Sequence, residues 1–179
     1  MERQAQLGKL TDMKDECVSA EFEKSIASIT GLCVNHIWRG YGSAIFLEIG
    51  SLLPGRIRRD GTPGNPIGEF TVCIEWSWRI EGKRRIWCGS WTEEEKWPKT
   101  FARLTGSLVE SVSLFGRIPE IDVGFSNGLH LLSMMTAEGD PEWGLIDRIS
   151  SVSFDIRAGR LKIDRRVQAK GRWPMSDNI

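Results

Sequence analysis

Short segments in which apolar and polar residues alternate constrain this fold more than any other feature of the sequence. Between residues 120 and 125 every odd position is apolar, which is the period of a half-buried β-strand. Asn127-Gly128 follows, and this dipeptide is favoured in two-residue type I′ hairpin turns. Such a turn predicts a returning strand in which His130 lies opposite Phe125, on the same face of the sheet.

A second alternating hairpin is predicted near the end of the chain. The even positions from 152 to 156 are apolar, Ala158-Gly159 supplies the turn, and the apolar residues Leu161 and Ile163 return on the same face. With many short strands and few helices, the chain is predicted to be mainly β, of the α+β class.

Two helical segments accompany the strands. Within residues 1–29, three apolar residues recur every four positions, as on the buried face of a helix: Val18, Phe22 and Ile26. A short helix is predicted near 93–104, where Thr92 and Glu95 match a capping box. Pro98 ends this helix after one turn unless it begins a second one.

A faint internal repeat runs through the β-rich part. TGLCVNHI at 30–37 resembles TGSLVESV at 105–112, and each segment precedes an alternating strand and, later, a Glu-Trp pair. We therefore expect two related antiparallel β-meanders, at 30–80 and 105–146, plus the C-terminal hairpin. The spacing of apolar residues breaks the two-residue period once in each copy, which indicates a β-bulge in each.

Length and composition predict one globular domain that needs no cofactor. A chain of 179 residues is most simply one domain, here at 30–166, with a basic tail at 167–179. The formal net charge is zero, which disfavours nucleic-acid or membrane binding. No secretory signal, membrane-spanning run, C-x-x-C pair, metal motif or nucleotide motif is present. We expect a cytoplasmic protein without metal or nucleotide.

Catalytic chemistry has few candidates. His36 and His130 are the two histidines, and neither lies in a motif that exposes a nucleophile. His130 is the stronger candidate, although a satisfied, partly buried histidine is the commoner role. Glu75 and Glu142 could form a carboxylate pair for glycoside chemistry, but equivalent positions in two repeats explain them more simply. The balance favours a protein that is not an enzyme.

Four of the eight tryptophans lie within eighteen residues: Trp76, Trp78, Trp87 and Trp91. On a continuous strand, Trp76 and Trp78 share an uncharged face with two isoleucines, so both are predicted to be buried. A hairpin turn of two or four residues adds the other two rings to that face, whereas a three-residue turn places Trp87 beside Arg79. Four rings would present roughly 800 Å², more than a soluble monomer usually exposes. Core, a second chain and a ligand are the candidate covers, in that order.

Basic residues supply further candidate binding positions. Arg56, Arg58 and Arg59 lie in a glycine- and proline-rich segment at 52–69, whose centre we expect to be a long mobile loop. Three more cations occupy the tip of the tryptophan-rich hairpin, and seven lie between Arg157 and Arg172. The predicted binding residues are Trp87, Trp91, Arg79, Arg56, Arg58, Arg59 and His130.

In general appearance the sequence resembles small β-rich bacterial proteins, some of which act as immunity partners of toxins. The resemblance is one of overall pattern and not of particular residues. We predict a non-enzymatic protein, immunity-like or accessory, that binds another protein or a second copy of itself as a homodimer. The alternative is a carrier that holds a small apolar ligand in a tryptophan-lined cavity. A hydrolase is the third hypothesis.

Overall fold

A computed structural model describes residues 2–137 and 142–165, with side chains described from residue 16 onward. The described elements, in chain order, are α1 (Glu2–Ile29), β1 (Val34–Arg39), β2 (Ile45–Ile49), β3 (Phe70–Ile74), β4 (Trp78–Gly82), β5 (Arg85–Gly89), a 3-10 turn (Glu94–Lys96), α2 (Trp97–Leu104), β6 (Val109–Phe115), β7 (Glu120–Phe125), β8 (His130–Ser133), β9 (Trp143–Asp147), β10 (Val152–Arg157) and β11 (Arg160–Asp164). The mainly β fold class is confirmed. The basic tail predicted at 167–179 lies outside the described residues.

The strands form two antiparallel sheets with an apolar core between them. The larger sheet has the order β1-β2-β3-β9-β10-β11, and the smaller has the order β5-β4-β8-β7-β6. The predicted C-terminal hairpin is confirmed: Arg157 pairs with Arg160 across Ala158 and Gly159, both of which have positive φ. Positive φ at both central residues is the requirement of a type I′ turn.

The chain crosses between the sheets at two places that pair with each other. β3 leads into β4 across residues 75–77, and β8 precedes β9 in the chain; described residues next to these strands are joined by backbone bonds. The Glu75 amide donates to the Glu142 carbonyl at 2.9 Å, and the Met134 amide donates to the Ser77 carbonyl at 2.8 Å. Four strands therefore form one bent, two-stranded ribbon that belongs to both sheets.

This crossing overturns the predicted burial of Trp76. The alternation that runs from Ile74 to Ile80 is not one strand, because the chain changes sheets within it. Ile74 and Trp78 end and begin strands in different sheets and are both buried, while Trp76 lies at the bend with 61% of its surface exposed. The predicted burial of Trp78 is confirmed, and its indole N–H donates to the Ser43 carbonyl at 2.6 Å.

Each helix packs on a tryptophan that begins a strand. In α1, the Phe22 ring contacts Phe154 and Trp143 at centroid distances of 5.2 and 6.3 Å. In α2, the Trp97 ring meets Trp78 edge-on at 5.0 Å. The predicted buried face of the N-terminal helix is thereby confirmed, with Val18 and Ile26 partly buried beside Phe22. Pro98 lies in the first turn of α2. Of the two predicted alternatives, it therefore begins a new helix and does not only end the preceding turn.

A reciprocal pair of backbone segments joins the edge strands β1 and β6. The Gly31 amide donates to the Val109 carbonyl, and the Gly106 amide donates to the Val34 carbonyl, both at 2.8 Å. The two glycines have nearly equal positive φ values of 85° and 88°. The predicted bulges are both present, because the register shifts directly after Val34 in β1 and directly after Val109 in β6.

The turn predicted at Asn127-Gly128 is wrong by one residue. Phe125 bonds to Leu129 across a three-residue loop, and Gly128 has a φ of 75°. The Asn127 amide group donates to the Arg103 carbonyl at 2.6 Å, which ties the loop to the end of α2. The register therefore places His130 opposite Gly124, on the outer face of the smaller sheet and away from the buried Phe125.

The segment predicted to be a long mobile loop is instead an irregular hairpin arm. Leu53 and Ile67 exchange backbone bonds at 2.8 and 2.9 Å, and the Arg58 amide donates to the Thr62 carbonyl at 2.8 Å. These bonds continue the pairing of β2 with β3 beyond the sheet. The mobility of the arm stays a prediction.

Replacing Trp78 with alanine should lower the free energy of unfolding by about 3 to 5 kcal/mol, as for other buried large aromatic residues. Replacing Trp76 should change it by about 1 kcal/mol or less, because most of its ring already contacts solvent. Urea denaturation of the two variants checks the difference. Equal losses would mean that the sheet crossing is misplaced.

Candidate protein-binding surface

The hairpin of β4 and β5 combines a two-residue turn with a bulge. Gly82 pairs with Arg85 at the tip, but Ile80 pairs with Cys88, so Trp87 is the extra residue. Sequence reasoning left the turn length open and did not include a bulge on this hairpin. The bulge returns Cys88 to the core and leaves Trp87 half-buried at the edge of the smaller sheet.

Two arginines stack on the Trp87 ring. The guanidinium carbon of Arg85 lies 3.5 Å from the ring centroid, and that of Arg103, from α2, lies 4.3 Å from it. Guanidinium groups are favourably placed over an indole because the ring face carries negative charge. Trp87 therefore lies beside Arg85 and Arg103 and not beside Arg79, the neighbour considered from the sequence.

The electrostatics of this cluster favour an anion. The two guanidinium carbons are at most about 8 Å apart, at which two unit charges repel by ~0.5 kcal/mol in water and ~2 kcal/mol at an effective dielectric constant of 20. Neither Arg85 nor Arg103 forms an ion pair within the described part of the chain. A carboxylate from another molecule would relieve this repulsion.

Trp91 extends the surface toward the start of α2. It has 91% of its surface exposed and directly precedes Thr92, whose carbonyl accepts the Trp97 indole N–H at 3.0 Å. The capping box predicted for Thr92 and Glu95 is not formed: the Thr92 hydroxyl instead accepts from the Gly89 amide at 3.0 Å, and the 3-10 turn has no side-chain cap. This bond holds the segment carrying Trp91 against the end of β5.

The outward side of α2 is polar, with opposite charge at its two ends. Glu95, Lys99 and Arg103 are exposed and follow one another at intervals of four residues, whereas Trp97 and Leu104 are buried. Lys99 and Arg103, spaced by four residues, lie on one face of α2, and Glu95 lies in the 3-10 turn that leads into this helix. We call Arg85, Trp87 and Trp91, together with this stripe, the α2 surface.

A groove on the other side of α2 was missed by sequence reasoning. It runs between α2 and the edge strand β1 and is lined mainly by apolar side chains, among them Trp38, Trp97, Pro98 and Phe101. The Arg39 guanidinium lies over Trp97 at 5.2 Å and forms an ion pair with Glu94. The groove could not be predicted from the sequence because its residues come from β1 and α2, which are far apart in the chain, and no local pattern joins them.

The remaining predicted binding residues lie elsewhere. On the outer face of the smaller sheet, the Arg79 guanidinium bonds to Glu81 at 2.5 Å, and His130 Nδ1 lies 2.9 Å from an Asp122 carboxylate oxygen. The arginines of the arm, Arg56, Arg58 and Arg59, are exposed, near the exposed apolar residues Leu53 and Ile57. Among the predicted residues, Trp87 contacts Arg103 of α2, and Trp91 lies in the segment that precedes this helix.

Burial raises the pKa of two core side chains, Cys73 and Glu142. Burial raises the pKa of the Cys73 thiol strongly, which keeps it protonated and weakly nucleophilic. Burial, followed by the nearby carboxylates of Glu120 and Glu75, raises the pKa of Glu142. Among the described residues, no group of three or more histidine, cysteine or acidic side chains could hold a metal ion.

Comparisons with known proteins found no match to this chain. No family model matches the chain, and neither a curated protein nor a solved structure matches it. Within the described residues, no helix combines the length and apolar character needed to cross a membrane.

Replacing Glu142 with glutamine should stabilise the protein at neutral pH. Since the pKa of Glu142 is raised by folding, ionising this buried side chain costs stability as pH rises above about 4.3, the ordinary value for glutamate. The gain should shrink as pH falls through that value, because Glu142 becomes protonated in the unfolded state as well as in the folded state. Urea denaturation at pH 4 and pH 7 measures it.

Glu110→Gln is the matched control, because Glu110 is an exposed strand residue. Its effect should differ little between the two pH values. A Glu142→Gln variant that is no more stable than the parent protein at pH 7 would contradict the assigned burial cost.

Proposed function

We propose that this protein acts by binding another protein chain through the α2 surface, without catalysing a reaction. The observation that carries the proposal is the 91% exposure of Trp91 on the α2 surface, which also holds the arginine-stacked Trp87. Tryptophan and arginine are the residues most enriched at the energetic centres of protein interfaces. The cytoplasmic setting of this activity stays a prediction.

The size of the exposed ring supports the proposal. An indole side chain buries on the order of 200 Å², so covering Trp91 could contribute up to about 5 kcal/mol at 25 cal/mol per Å². Ordering costs on association reduce this figure substantially. A protein–protein contact of ordinary affinity can nevertheless draw much of its free energy from one such residue.

We also infer that the fold arose by duplication of an α-helix followed by five strands. The two sheets are joined at their edge strands β1 and β6. Counted from these strands, the orders β1-β2-β3-β9-β10 and β6-β7-β8-β4-β5 match strand for strand if β6 to β10 repeat β1 to β5. The reciprocal bonds of Gly31 and Gly106 support this duplication. On this proposal Trp143 corresponds to Trp78 and not to Trp76, since each begins the fourth strand of its copy. The α2 surface then belongs to the first copy's hairpin and the second copy's helix.

A small apolar ligand is the second candidate, and the groove between β1 and α2 is the observation that favours it. Its volume of about 550 Å³ lies within the range of small-molecule sites. Trp38 stacks on Phe46 with a centroid distance of 4.0 Å, which holds one wall of the groove in place. Binding there would leave the Trp91 ring uncovered, so the two candidates are separable.

Site-specific photo-crosslinking in the protein's native cells tests the proposed function. A benzophenone amino acid at position 91 should form a discrete adduct with a protein partner. The control position is Ile118, which has 54% of its surface exposed in the turn between β6 and β7. Equal adducts at positions 91 and 118, or none at either, would contradict the proposal.

A further inference from the structure

We propose that the partner is a second copy of this chain, with the two α2 helices antiparallel about a two-fold axis. In this arrangement Glu95 of each copy faces Arg103 of the other. The inference rests on the proposed function, since it specifies which protein covers the α2 surface. Two-fold dimers are the commonest protein oligomers and use the same patch on both copies.

Charge along α2 carries the inference. The acidic end holds Glu93, Glu94 and Glu95, of which the first pairs with Lys96 and the second with Arg39. Glu95 forms no ion pair within the described residues, and neither does Arg103 at the basic end. Because Glu95 and Arg103 lie at opposite ends of the stripe and neither is in such an ion pair, the surface is complementary to itself only when the helices run antiparallel.

The spacing of the stripe fixes where the axis passes. Glu95 in the 3-10 turn and Arg103 in α2 are eight residues apart, roughly 13 Å along the two successive helical segments, and Lys99 lies near the middle. The axis therefore passes near Lys99, and the two copies of this lysine face each other. Like charges at such positions oppose association. This unfavourable contact is a signature that an acidic partner of another kind would not produce.

The aromatic residues fit the same arrangement. Trp91 precedes Glu95 and therefore lies beyond the acidic end of the stripe, while Trp87 and Arg85 lie beside Arg103 at the basic end. Antiparallel packing brings Trp91 of one copy toward the arginine-stacked Trp87 of the other. Because the axis makes every contact twice, the two exposed indoles are covered together.

Charge reversal with sedimentation velocity tests the inference in the full chain. The parent protein should dimerise with rising concentration, and less so at high salt because ions screen the pairs. Glu95→Arg and Arg103→Glu should each weaken the dimer about tenfold or more, and the double variant should recover most of the loss. Lys99→Ala should tighten the dimer. Thermal unfolding of each variant verifies that it folds.

Arg117→Glu is the matched control, because Arg117 is exposed in the turn between β6 and β7 and carries the same charge change. Its dimer should be as stable as that of the parent protein. A monomer at every concentration, single reversals without effect, or a double variant as weak as the sum of the singles would overturn the inference. If position 91 still crosslinks to a different protein, the proposed function survives and the second copy is the wrong partner.

Discussion

Pairing between the two segments that cross from one sheet to the other is the constraint on which the rest of this structure depends. The bonds of Glu75 with Glu142 and of Met134 with Ser77 make β3-β4 and β8-β9 one bent ribbon. The remaining strands extend the two sheets from either side of that ribbon. On each chain segment of the ribbon, the strand that follows the bend begins with a tryptophan. These residues are Trp78 in β4 and Trp143 in β9.

The position of α2 follows from this bend. Trp78 enters the core immediately after the crossing, and Trp97 and Phe101 of α2 pack against its ring. Because that packing determines which side of the helix is buried, it also determines that Lys99 and Arg103 face outward. Arg103 reaches Trp87 because the bulge in β5 keeps that ring at the sheet edge. The proposed binding surface is thus a consequence of core packing.

Local patterns predicted the elements but not the places where tertiary contacts change them. The position of the turn at Ala158-Gly159 was correctly predicted, whereas the two-residue turn predicted at Asn127-Gly128 is a three-residue loop, whose Asn127 side chain bonds to the end of α2. The alternation of apolar and polar residues around Trp76 continues across the point where the chain passes from one sheet to the other. No glycine or proline at this point indicates the change. Burial of Trp78 was predictable because Trp78 and Ile80 lie on the same face of one strand, and this alternation holds after the bend.

The candidate surface was predictable only in part. Trp87 and Trp91 were identified from their density in the sequence, but the stacking of Arg103 on Trp87 depends on two elements that meet only in the folded chain. The stripe of Glu95, Lys99 and Arg103 has helical spacing that could have been noticed. The run of three glutamates is typical of a helix start, and it does not by itself indicate a matching charge eight residues later, at Arg103.

Hydrogen–deuterium exchange measured at two protein concentrations tests the central claim most directly. The claim is that the α2 surface is covered by a second copy of the chain. Raising the concentration through the dimerisation range should slow exchange in residues 90–104 and leave the turn at 116–119 unchanged. Unchanged exchange in residues 90–104, or protection that appears in the arm at 52–67 instead, would contradict the account.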